Sequence, residues 1–122
     1  MSITKASALQ KFWESFGLTA YNELTVPDNA KLPYITYELI TDSFNNVIPL
    51  SASIWYKSNS WIEINAKAEE ISKELTGGKY IRCNGGAVCI SKDTPFAQRL
   101  SDTDKDIRRI ALNITAEFLT NY

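Results

Sequence analysis

The segment from Ile110 to Phe118 places an apolar side chain at every second position. This spacing is typical of a β-strand that buries one face. A helical stripe starting at Ile107 also fits the large apolar residues, but Asn113 and Thr115 are poor helix formers. Counted from Ile107 to Phe118, the segment therefore predicts a closing strand of roughly 40 Å at about 3.3 Å per residue, which must either bend or project from a small domain.

Composition narrows what such a sheet protein can do. The chain has 122 residues, 44% of them apolar, and a formal net charge of -1. This length fits one domain over residues 1–122. The balanced charge argues against binding nucleic acid through bulk positive charge. The chain has no histidine, which disfavours most hydrolase and metalloenzyme mechanisms because histidine is the commonest proton shuttle and metal ligand.

Periodicity and turn residues predict the remaining elements. We expect a helix at residues 4–16 ending at Gly17, a connection at 18–32 with a short strand near 24–26, strands at 34–41 and 50–57, a helix from Ser60 to Gly77, a hairpin of strands 79–83 and 87–91, and a polar loop at 92–106. The order is α-β-β-α-β-β-β. It favours an α+β fold with a single mixed or antiparallel sheet and two helices packed on one face. The second face of that sheet stays partly apolar and requires a cover.

The second helix carries the clearest local signals. Ser60 and Glu63 have the spacing of a capping box, in which each side chain accepts a hydrogen bond from a backbone N–H of the other residue. Trp61 begins the apolar stripe of this helix. Glu63 and Lys67 stand four residues apart in the order that favours an ion pair.

Two motifs resemble metal-binding sites but lack residues that such sites require. Residues 102–106 resemble the start of a calcium loop, but Ile107 and Asn113 occupy the positions that need Gly and Glu. Cys83 and Cys89 lie at like parity on the hairpin, so they could share a face, and without histidine or a third cysteine they are interpreted as structural thiols, reduced inside a cell. We therefore expect no catalytic residue, no metal site and no cofactor.

Candidate contact residues are those whose side chains do not match the pattern of their surroundings in the sequence. Trp55 lies on the Ser/Lys side of its strand, where it either packs under a loop of its own domain or anchors an interface. Arginines alternate with aspartates near residues 99–109, which suits either contacts between subunits or an exposed salt-bridged surface. The expected subunit-interface residues are Trp55, Phe96, Arg99, Asp102, Asp104, Asp106, Arg108 and Arg109, and the expected loop contacts to other proteins are Phe44, Asn45 and Asn46.

Several short motifs, taken together, resemble a known family from about residue 30 to residue 120. They are Leu32-Pro33-Tyr34-Ile35-Thr36-Tyr37, the helix led by Trp61, Gly85-Gly86, Pro95-Phe96-Ala97-Gln98, the run from Arg108 to Ile114, and Glu117-Phe118. In this arrangement the chain resembles the tail terminator proteins of long-tailed bacteriophages, which are also described as tail completion or minor capsid proteins.

The resemblance implies a structural neck protein of the virion and not an enzyme. Such a protein forms a homohexameric ring that caps the tail tube, ends its polymerisation and offers a docking surface to the head. Its partners would be the major tail tube protein and the head-closure or connector protein, after assembly in the host cytoplasm. DNA would pass through the lumen without specific binding, and no membrane would be involved. The alternative is another neck or head-completion adaptor that acts as a monomeric binding module.

Overall fold

Six strands form one mixed sheet in the part of the chain that the structure describes, with strand order β1-β2-β3-β6-β5-β4. The structure is a computed structural model and describes residues 3–39 and 47–121. β1 and β2 are parallel, and all other neighbours are antiparallel. The elements are α1 (Lys5–Glu14), β1 (Thr19–Asn22), β2 (Tyr34–Tyr37), β3 (Val47–Lys57), α2 (Ile62–Glu74), β4 (Lys79–Cys83), β5 (Gly86–Leu100) and β6 (Ile107–Thr120).

The long last strand, β6, lies in the middle of the sheet. It pairs with β3 from Ile107 to Glu117 and with β5 on its other side. The expected strand is therefore confirmed. It does not project alone, because β3 and β5 are also long, with 11 and 15 residues.

The core lies against one face of this sheet, here called the inner face. The alternating residues of β6 from Ile110 to Phe118 are at most 4% exposed. They form one hydrophobic cluster with the buried side of α1, centred on Trp13, and with the buried side of α2, centred on Ile71. The prediction of one mixed sheet with two helices is confirmed.

The predicted element order is wrong by one strand. Residues 19–22 form β1, which pairs in parallel with β2, whereas the predicted order treated residues 18–32 as a connection. The short strand expected near residues 24–26 is a turn, in which the Asn22 side chain accepts a hydrogen bond from the backbone N–H of Leu24 at 3.0 Å. The observed order is α-β-β-β-α-β-β-β. Four residues at a sheet edge carry too little periodicity to be found by pattern alone.

The predicted loop at 92–106 is mostly strand. β5 continues to Leu100, and only residues 101–106 connect it to β6. Its pairing with β6 shifts register between Lys92 and Ala97, so Pro95 falls within the irregular stretch, where a missing N–H is tolerated. This bulge in the middle of the strand explains why the segment looked like a loop.

The start of α2 also differs from the prediction. The N-cap is Trp61, which makes no capping hydrogen bond with its side chain, so the Ser60–Glu63 box does not form. The Ser60 hydroxyl instead accepts from the N–H of Ile62 at 3.1 Å. Lys67 does not pair with Glu63 but with Glu70 at 3.1 Å.

Candidate functional site: two arginine–tryptophan surfaces

One candidate surface lies on the outer face of the sheet, the side away from the core. We call Tyr21, Tyr34, Trp55 and Arg109 the outer-face patch. Strand pairing places Tyr34 beside Trp55 and Trp55 beside Arg109, so the side chains form a row across β2, β3 and β6. The rings of Tyr21 and Tyr34 meet edge to face with centroids 5.6 Å apart, which extends the row to β1. All four side chains are half-buried.

The outer-face patch is held in a defined geometry. The indole N–H of Trp55 donates to the Thr36 hydroxyl at 2.9 Å. The guanidinium of Arg109 lies 4.5 Å from the centre of the Trp55 ring, and its Nε–H donates to the Ser53 hydroxyl at 3.0 Å. Cation–π stacking of this kind contributes about 0.5–2 kcal/mol, depending on how far water is excluded. The patch therefore offers a cation whose position is fixed by its own sheet.

The second candidate surface lies on the helix side of the sheet. We call Trp61, Arg99 and Arg108 the Trp61 corner. The guanidinium carbons of Arg99 and Arg108 lie 5.1 and 5.3 Å from the centre of the Trp61 ring. Arg99 is exposed and Arg108 half-buried. Sequence reasoning assigned Trp61 to the core stripe of α2, and its ring does pack against the core while staying partly exposed.

Arg108 mainly holds its own chain together. It donates to the carbonyl of Lys105 at 2.7 Å and to that of Asn59 at 2.9 Å, so it ties the β5–β6 loop to the segment before α2. Its Nε is buried and has no hydrogen-bond partner within the described residues. Because alternate residues of a strand point to opposite faces, Arg108 and Arg109 belong to different surfaces.

The aspartates of the β5–β6 loop shape the loop itself. The carboxylate of Asp102 accepts from the N–H of Asp104, and that of Asp104 accepts from the N–H of Asp106, both at 2.9 Å. The ion pairs seen in residues 3–39 and 47–121, Lys67–Glu70 and Lys79–Glu74, do not include these aspartates. The interleaved charges of the sequence are thus not a salt-bridged network within one copy. Whether these aspartates contact another subunit remains a prediction.

The other expected contact residues lie apart. Phe96 is half-buried against the core and lines an open groove of about 400 Å³ between α2 and β5, together with Ala68 and Arg99. Phe44, Asn45 and Asn46 lie outside the described residues. The structure thus brings Trp55 together with Arg109, and Arg99 together with Arg108, but does not assemble all eight expected interface residues into one surface.

The two cysteines do not share a face, although their like parity along the hairpin had allowed it. Pairing places Cys83 opposite Gly86 and Cys89 opposite Tyr80, which puts the two thiols on opposite sides of the hairpin. Cys83 packs against the core, and burial raises the pKa of its thiol. On the outer face, a hydrogen bond with Cys89 raises the pKa of Tyr80. No cluster of three or more His, Cys, Asp or Glu side chains that could hold a metal occurs in the described ranges.

Sequence reasoning missed Tyr21, Tyr34 and Trp61 as members of exposed surfaces. Tyr34 was recognised only as a strand former, and Tyr21 fell in a supposed connection. The outward parity of Tyr34 could have been derived from its pairing with Trp55, but a single sequence does not reveal which strands pair.

None of the helices in the described residues is long and apolar enough to cross a bilayer.

Comparison with known proteins bears on the fold. The sequence matches no protein-family model and no curated protein. The structure is similar to a chain in a solved structure described as the virion of a native gene transfer agent (GTA) particle, with a TM-score of 0.65 and 19% sequence identity. The similarity covers 91% of this chain and 94% of that chain. At this identity the likeness concerns the fold.

Proposed function

We propose that this chain is a structural protein of a virion neck, which assembles into a ring on the end of a tail tube. The observation that carries the proposal is the fold similarity to a chain of a virion particle over nearly the full length of both chains. The sequence resemblance to tail terminator proteins supports it independently, since it rests on short motifs and not on the fold. In this role the ring ends tube growth and offers a docking surface to the head connector.

The surfaces of the molecule suit a subunit that works among copies of itself. Aromatic side chains and arginine are enriched at protein interfaces, and both candidate surfaces are built from them. Trp55 and Trp61 are each half-exposed and each lie against an arginine. Covering these rings with a neighbouring copy would remove further aromatic surface from water, which favours assembly.

The charge of the chain suits a ring through which DNA passes. Tight binding to DNA requires many cationic contacts with phosphates, and each contact makes the affinity more dependent on salt. A formal net charge of -1 supplies no such excess. We infer that the protein assembles in the host cytoplasm, remains in the virion, and contacts the tube protein and the head connector without carrying out a reaction.

Electron microscopy of the purified protein mixed with tail tubes tests the proposal. We expect rings at the tube ends and tubes of limited length, together with a multi-subunit species in light scattering. A stable one-to-one complex with the connector and no ring would favour the monomeric adaptor. A protein that stays monomeric and ignores both tubes and connectors at high concentration would contradict the proposal.

A further inference from the structure

Two cations of the outer face, Arg109 and Lys57, have no acidic partner within the described residues. Arg109 is fixed over Trp55, and its Nε–H is used by Ser53. Lys57 is exposed and has the same outward parity at the end of β3. Neither cation forms an ion pair within the described residues. The face around them is half-buried and aromatic, so a partner that fits it must combine carboxylates with apolar side chains.

The exposed side of α2 has that combination. Ile64, Ala68 and Ile71 are buried against the inner face, and the exposed side of the helix carries Ile62, Ala66 and Lys73, with Glu63 and Glu69 on its two flanks. Ile62 is 78% exposed. Here these five residues are called the α2 outer side.

The carboxylates of the α2 outer side are available for a partner. Glu63 and Glu69 make no ion pair within the described residues, whereas Glu70 and Glu74 are held by Lys67 and Lys79. They flank the exposed apolar residues of the helix. Lys73 lies on the same side, four residues after Glu69, but forms no ion pair with it within the described residues, so the two carboxylates leave this side with a net negative charge. The α2 outer side therefore complements the outer-face patch in both charge and apolar character.

We infer that the α2 outer side of one copy packs on the outer-face patch of the next copy, an interface that rests on the proposed ring function. The two surfaces lie on opposite sides of one subunit, because α2 covers the inner face and the patch lies on the outer face. They cannot meet within a copy. A contact between two different surfaces is heterologous, which is the type of contact that builds rings.

The dimensions of the two surfaces agree. The outer-face patch crosses β1, β2, β3 and β6, which spans about 14 Å at about 4.8 Å between strands. A helix of 13 residues is about 20 Å long and about 10 Å wide. Docking would place Ile62 and Ala66 on the aromatic row and bring Glu63 and Glu69 towards Arg109 and Lys57. The sheet would then be covered by helices on both faces.

Disulfide trapping tests this contact directly. Ala66 lies on the α2 outer side, and Ala111 lies on the outer face next to Ser53. In a Cys83→Ser/Cys89→Ser background, we expect Ala66→Cys/Ala111→Cys protein to form covalent oligomers on oxidation in the presence of tubes. Each single cysteine variant is the matched control and should stay monomeric on a denaturing gel. If the doubly substituted protein forms rings but does not cross-link, the interface is wrong while the proposed function stands.

Charge reversal provides a second test that does not depend on cysteine replacement. We expect Arg109→Glu to weaken self-association about tenfold or more, which corresponds to about 1.4 kcal/mol. Glu69→Arg should have a similar effect, and combining the two reversals should recover part of the loss. Arg82→Glu, at an exposed position on β4, is the control with the same change of charge and should have little effect. Thermal unfolding checks that each variant is folded, and Arg109→Gln replaces Arg109→Glu if the reversal unfolds the chain.

The outcomes separate this inference from the function on which it rests. Unchanged self-association of both single reversals overturns the inference. Loss of tube binding with self-association retained also overturns it, because the occupant of the patch is then the tube protein. Wild-type protein that never assembles overturns the proposed function, and the interface with it.

Discussion

Arg108 and Arg109 are neighbours in the chain, but their side chains lie on opposite faces of the sheet and make different contacts. Arg108 turns to the helix side, where it bonds the carbonyls of Lys105 and Asn59. Arg109 turns to the outer face and lies over Trp55. Both remain candidates for contact with another subunit, but removing Arg108 also removes two hydrogen bonds within its own copy, whereas Arg109 makes a single side-chain hydrogen bond, to Ser53, within the described residues.

We predict that Arg108→Ala destabilises the folded chain by about 1–3 kcal/mol, because two hydrogen bonds from a charged donor are lost. Urea unfolding followed by tryptophan fluorescence measures the change. Arg99→Ala is the matched control, since Arg99 stacks on the same Trp61 ring but is exposed, and it should cost less than about 1 kcal/mol. An equal loss of unfolding free energy in the two variants would mean that Arg108 stabilises the chain only by stacking on the Trp61 ring.

Gly86 is required where two backbones come close. Its φ is 153°, and a Cβ there would lie 2.0 Å from the carbonyl oxygen of Leu119 on β6. We predict that Gly86→Ala destabilises the fold by about 1–3 kcal/mol through backbone strain and by a similar further amount through the clash. Denaturant unfolding of the purified variant measures the total.

Gly77→Ala is the control for backbone strain alone. Gly77 has a φ of 81°, and nothing lies within 4 Å of a Cβ built there, so the cost should be about 1–2 kcal/mol. If the two alanine variants unfold at the same urea concentration, the close approach of Gly86 to Leu119 does not constrain the sheet.

At the scale of elements, the two helices are linked by a lysine. Lys67 of α2 donates to the carbonyl of Phe16, just beyond the end of α1, at 2.7 Å, and its side chain is 17% exposed. A cation at the C-terminal end of a helix is favoured by the helix dipole and by the carbonyls left unpaired there. Local spacing pointed to a bond between Lys67 and Glu63, but the carbonyl offered by α1 is a partner that no pattern within α2 reveals.

We predict that Lys67→Met lowers the free energy of unfolding by about 1–2 kcal/mol, because methionine keeps the apolar stem and removes the charged donor. Lys73→Met, on the exposed side of the same helix, should change it by less than about 0.5 kcal/mol. Circular dichroism during thermal unfolding compares the two. A loss at Lys73 as large as at Lys67 would assign the effect to net charge.

The elements with strong periodicity were predictable and the irregular ones were not. β6 and both helices follow from apolar spacing, and the hairpin follows from Asn84-Gly85, where Gly85 has a φ of 82°. β1 was missed because it is an edge strand of only four residues, and it forms a strand through its pairing with β2 and not through a pattern of its own. The second half of β5 was missed because its bulge interrupts the alternation around Pro95.

At the scale of the whole molecule, the sequence predicted which residues belong to the candidate surfaces, but not where on the molecule these surfaces lie. Trp55 and Arg109 were both expected at an interface, and the structure sets them face to face. Arg99 and Arg108 were also expected there, but they meet around Trp61 on the other side of the sheet. The heterologous contact inferred above joins the outer-face patch of one copy to the α2 outer side of the next, and does not involve the Trp61 corner.

The order of side chains along the chain is enough to predict the periodic elements, because period 2 in β6 and the three-to-four spacing in the helices are local properties of that order. The sequence also establishes the balanced charge and the absence of histidine. The tertiary structure alone decided which strands are neighbours, and therefore that Tyr34, Trp55 and Arg109 form one row while Arg108 and Cys83 turn away from it. The physical reason is that pairing depends on contacts between residues far apart in the chain, and one shift in register exchanges the two faces of a strand.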